Sequence, residues 1–96
     1  MSKSKAMITH NGNSGVSKDT AIKFIGVTNE MEGVNEEYKY LESKFGKKGV
    51  DWKLDDQALM KDGNTSFDLI QVTLSGGEKK SVYFDITNFL GLGMSQ

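Results

Sequence analysis

The six aspartates from Asp51 to Asp85 are the side chains of this sequence with the widest chemical reach. Paired carboxyls can trade a proton in acid–base catalysis or hold Mg²⁺ or Ca²⁺. The stretch holding Asp55, Asp56, Asp62 and Asp68 lacks the D-x-[DN]-x-[DN]-G rhythm of a calcium loop. Most of these residues, Asp51 included, fall in a turn or on the outward phase of a strand, where a solvated face is expected. Asp85, between Phe84 and Ile86, is expected to cap a final turn. His10 is the single histidine. A catalytic triad needs it oriented by a carboxylate and facing a nucleophile, and its polar surroundings predict an exposed, inert ring instead. The absence of cysteine removes thiolate nucleophiles, zinc–thiolate clusters and disulfides. The sequence therefore assigns no catalytic residue, no metal-ligand set and no cofactor.

Two glycine motifs invite a nucleotide. Leu74-Ser75-Gly76-Gly77-Glu78 resembles the signature loop of ATP-binding-cassette ATPases. In that family a helix follows the loop, whereas Lys79–Ile86 alternates like a strand, so Gly76-Gly77 is read as a hairpin turn. Gly12, Gly15, Lys18 and Thr20 have a phosphate-loop flavour, but Ser17 precedes the lysine, Asp19 follows it, and the pattern G-x-x-x-x-G-K-[ST] is not met.

Twelve lysines, no arginine and thirteen acidic residues give a net charge of −1. Lys47, Lys48 and Lys53 lie near Trp52, and Lys79 and Lys80 near Tyr83, an interleaving that single-strand nucleic-acid binders use. Without arginine, phosphate and guanine lose their bidentate reader, and a nucleic-acid partner is disfavoured. What remains is apolar and aromatic surface. Tyr40, off the apolar stripe of its helix, Tyr83, Trp52, Phe89 and Leu92 are the candidate contacts for a protein partner or a second copy, with Trp52 also expected in the core. The reading is a small non-enzymatic interaction module, accessory, immunity-type or inhibitor-like, that uses a sheet edge or this aromatic surface. A single-stranded nucleic-acid binder, a carboxylate-based metal enzyme and a small-ligand carrier are the alternatives.

The elements that must position these residues are few. Ninety-six residues make one domain. Thr20–Thr28 reads as a strand whose two apolar faces suggest an interior place, with edge and centre both left open by the sequence. Met31, Val34, Tyr38, Leu41 and Phe45, spaced 3, 4, 3, 4, predict one helix over Asn29–Phe45. Asn29 and Glu32 supply its start, Gly46 its stop, and Gly33 a weak first turn. Val50–Leu54 alternates as a strand and continues past Asp55-Asp56 to Met60. Asp62-Gly63 marks a hairpin, and Phe67–Leu74 changes apolar phase after Leu69, which predicts a bulge or burial on both faces. Ser81–Ile86 alternates again. The expected class is α+β: one helix on a four-stranded, mainly antiparallel sheet, order β-α-β-β-β, with Ala6–Thr9 available as a short extra strand. Residues 1–19 are expected to form a flexible lead-in, 20–92 the domain and 93–96 a tail. Phe89–Met94 is expected to fold back onto the sheet. No apolar run reaches a membrane span, and the lysine-rich start is no signal peptide, so the expected location is cytoplasmic.

Overall fold

The computed structural model describes residues 8–90. In extended backbone, Asn29 accepts a hydrogen bond from the Glu32 amide (2.8 Å) and starts helix α1, Glu30–Phe45. The Glu32 carboxylate accepts from the amide and hydroxyl of Thr28 (2.9 and 3.0 Å), one residue before the cap. Glu30 and Glu32 in the first turn and Lys44 in the last complement the helix dipole. Gly46 ends the helix at φ +106°, its amide bonded to the Glu42 carbonyl. Asn29→Ala is expected to cost about 1 kcal/mol, read as a lower urea midpoint at unchanged slope.

Five strands form one sheet: β1 (Thr9–His10), β2 (Ile22–Ile25), β3 (Trp52–Asp62), β4 (Thr65–Leu74) and β5 (Lys79–Asp85). Their spatial order is β1-β2-β5-β4-β3. β2 runs parallel to β5, and the other three pairings are antiparallel. The α+β class and the element order agree with the sequence, and the place of β2, which the sequence leaves open between edge and centre, is interior. The fifth strand, β1, is the short N-terminal one; Ala6 and Met7, expected to begin it, lie outside the described residues. Between β1 and β2 the chain is tied to the sheet. The Asn11 and Asn13 side-chain amides donate to the Ala21 carbonyl (3.3 and 3.2 Å). Lys18–Thr20 makes a single 3₁₀ turn, and the Gly15 carbonyl accepts the Tyr83 amide at 2.7 Å.

The β3–β4 hairpin closes at Gly63-Asn64, with Gly63 at φ +64°. The interruption expected at Asp55-Asp56 is a bulge, where the register slips between Leu54 and Asp56. The Asp55 carboxylate accepts from the Thr73 hydroxyl and lies 3.8 Å from the Lys79 ammonium. Within β4 the apolar phase change is double-sided burial, since Phe67 and Asp68 are both buried and the ladder there is regular.

Residues paired across a sheet share a face. Ile22, Phe84, Asp68 and Leu59 therefore form one row, and Val82, Ile70 and Gln57 the next. α1 packs on this face. The core joins Ile22, Phe24, Leu41, Trp52, Ile70, Val72, Val82, Phe84, Ile86 and Phe89. The helix is rotated from its expected phase. Of the expected stripe, Leu41 is buried and Tyr38 and Phe45 pack against the core, but Met31 is 73% exposed and Gly33 and Glu37 join Leu41 in the buried row. The cause lies at Gly33, where the missing side chain admits the ring of Phe89.

Candidate functional site

The rotation of α1 brings Glu37 into the core, and the register of β4 turns Asp68 toward it. Glu37 is fully buried and Asp68 nearly so. This corrects the expectation that the aspartates line a solvated face: Asp68 shares the inward row with Phe84 and Ile22. No donor meets either Glu37 oxygen. Asp68 is the acidic group beside it, and a carboxyl buried without a donor is favoured in its protonated form. Burial, reinforced by Asp68 and by the charge of Glu30, lifts the Glu37 pKa to about 10. Neighbouring Tyr38 is also raised above the usual phenol value, first by burial and then by Glu37 and Asp68. Its hydroxyl donates to Gln57 Oε1 at 3.1 Å, and the Lys48 ammonium sits 4.9 Å over its ring.

The pair can store a proton, but a reacting group needs access to substrate. Two surface concavities among the described residues lie elsewhere. One, of about 330 Å³, is lined by Gly49, Val50, Trp52, Lys53, Thr73, Leu74, Ser75 and Gly77. The other, of about 270 Å³, is lined by His10, Phe24, Glu36, Lys39, Tyr40 and Ser43. Among the described residues no group of three or more His, Asp or Glu is placed to hold a metal ion. No described helix is long and apolar enough to cross a membrane.

The structure scatters the candidate contact residues. Trp52 is 2% exposed, and its indole N–H donates to the Gly46 carbonyl at 2.7 Å, tying the helix stop to β3. Phe89 is equally buried against Gly33. Neither offers surface to a partner. Tyr40, expected opposite the buried face, is half-buried instead, with its ring edge-on to Phe84 (5.8 Å) and to His10 (5.5 Å). His10 is thus part of an aromatic cluster on β1 and α1. Tyr83 is half-buried on the sheet face away from α1, since its neighbours Val82 and Phe84 face the core. Leu92 and the tail 93–96 lie outside the described residues. Asp85 does cap the last turn, accepting from the amide and hydroxyl of Thr87 (3.0 and 2.7 Å).

One long feature remains open. β3 is an edge strand of eleven residues with β4 on one side; on the other side only its first residue is covered, Trp52 bridging Lys48 and accepting the Gly49 amide at 2.7 Å. The two-residue turn makes Asp62 and Thr65 the closing hydrogen-bonded pair. By alternation the amides of Asp62, Met60 and Ala58 point to β4, and those of Lys61, Leu59 and Gln57 point outward. The Gln57 amide donates to the Asp56 carboxylate at 2.9 Å instead of to a strand. Leu59, in the middle of this edge, is 59% exposed. The sequence marked β3 as a strand, but its edge position follows from which strand lies beside β5, a long-range choice without a local signal. Glu37 was legible only as a helix-start charge; its signal is the row Gly33, Glu37, Leu41 at four-residue spacing. Comparison with protein families, with curated proteins and with solved structures finds no match for the chain.

Proposed function

We propose that the chain is a small non-enzymatic protein-interaction module that receives an extended strand along the outer edge of β3. The observation that carries this reading is the length of that edge, with outward amides at Leu59 and Lys61 and an exposed leucine at its middle. Strand addition draws affinity from main-chain hydrogen bonds and specificity from alternate side chains. Burial of Trp52 and Phe89 favours the edge over an aromatic surface, and the sealed carboxyl pair favours binding over catalysis.

Leu59→Pro tests the edge directly. Proline removes an outward amide and leaves the inward bonds to β4 in place. A partner captured from source-cell extracts by the tagged wild-type chain is expected to be lost with Leu59→Pro, while circular dichroism shows both chains folded. Equal capture by a folded Leu59→Pro chain overturns the reading.

A further inference from the structure

We infer that the strand received by β3 is the β3 of a second copy, antiparallel and centred on Ala58. The inference rests on the edge reading above and names its partner. Counted by β4 partners, Asp62 lies four ladder positions from Ala58 in one direction and Lys53 four in the other. A two-fold axis through facing Ala58 residues therefore sets Asp62 of each copy opposite Lys53 of its mate. Both residues lie on the sheet face away from α1, because their β4 partners Thr65 and Thr73 alternate with the inward row of Asp68, Ile70 and Val72. Opposite charges directly across a ladder support pairing, and like charges oppose it.

The same register satisfies the backbone. Outward Leu59 meets outward Gln57 of the mate, twice, and each such pair exchanges two hydrogen bonds. The Gln57 amide leaves its own Asp56 carboxylate to do so. Beyond it, Asp55 and Asp56 together face Met60 of the mate, the two-against-one count of a bulge. Lys61 then meets Leu54. Moving the centre to Leu59 sets Asp56 against Asp62, a like-charge pair, and a centre at Met60 loses the Asp62–Lys53 pair, so charge favours Ala58 over both. Asp62 also lies 3.7 Å from Lys18 of its own chain; both side chains of that contact are partly solvated, which leaves Asp62 a second approach for Lys53. The two sheets become one, with both helices on the same face.

Analytical ultracentrifugation of the full chain, from micromolar to millimolar concentration, reads the outcome. The wild type is expected to dimerise reversibly. Lys53→Asp should weaken the dimer about tenfold, because each dimer holds two copies of the pair and gains two like-charge contacts. Lys53→Asp/Asp62→Lys should restore it to within about threefold of wild type, by the same pairing logic. Leu59→Pro should remove it. A wild-type chain that stays monomeric throughout, or a dimer indifferent to Lys53→Asp, overturns the inference. Neither result touches the capture experiment, in which equal capture by a folded Leu59→Pro chain marks the separate failure of the edge reading.

Discussion

Glu37→Gln is expected to stabilise the folded chain by about 3 kcal/mol at neutral pH and by almost nothing below about pH 4. The expectation follows from a proton. In the unfolded chain the Glu37 carboxyl titrates near its ordinary value of 4.5, and in the folded chain near 10. Between those values the folded state holds one proton more than the unfolded state. Stability from this group is therefore fully present below the unfolded pKa and is lost as pH rises through the folded one. The slope across that window is about 1.4 kcal/mol per pH unit. Glutamine keeps the shape and a donor toward Asp68 but does not titrate. Urea unfolding at a series of pH values should show a falling line for the wild type and a flatter one for the variant, the two meeting at the acid end. On heating, a neutral-pH gain of this size corresponds to a melting temperature higher by roughly 15 °C for a chain of this length. Parallel lines of equal slope would mean that Glu37 is ionised, or hydrated, in the folded protein.

The buried carboxyl also shows where the sequence was and was not readable. Local devices were plain. Asn29 caps the helix, Gly46 stops it, Gly63 and Gly77 take the left-handed backbone of their turns, and Asp55-Asp56 marks the bulge. Each needs only its near neighbours to act. The phase of α1 was not plain, because apolar periodicity counts Met31 as an inward residue and Glu37 as an outward one. The structure reverses both, and the reason is distant in sequence: Phe89 fills the space over Gly33, and Asp68 supplies a polar partner under Glu37. Tyr40 follows the same rotation and packs on Phe84 and His10. The candidate interface was readable as an alternating strand over Val50–Leu54, with its continuation past Asp55-Asp56; the strand starts instead at Trp52, and Val50 is exposed. Its exposure depends on β2 taking the place beside β5, which leaves β3 without a neighbouring strand on the far side beyond the bridge at Trp52.

Gly33→Ala, a substitution that stabilises most helix interiors by about 1 kcal/mol, is expected here to destabilise by about 2–3 kcal/mol through overpacking. Gly33 lies in the first turns of α1 and is buried. A Cβ built on it would stand 2.5 Å from Cδ1 and Cζ of the Phe89 ring, well inside contact distance. The helix is held by its cap and by Leu41 in the core, so the ring must move. Phe89 is anchored by the amide bonds of Phe89 and Leu90 to the Ile86 carbonyl, so expelling the ring also disturbs the last described turn. A double-mutant cycle isolates this contact. Phe89→Ala alone should cost about 3–5 kcal/mol, the usual range for a truncated core phenylalanine. In that background the clash is gone, and Gly33→Ala should revert to its ordinary helix-stabilising sign. Urea midpoints of the four chains give the coupling directly. A destabilising Gly33→Ala effect that persists unchanged without the Phe89 ring would place the constraint in the backbone of the first turn, and would detach the helix phase from the C-terminal aromatic.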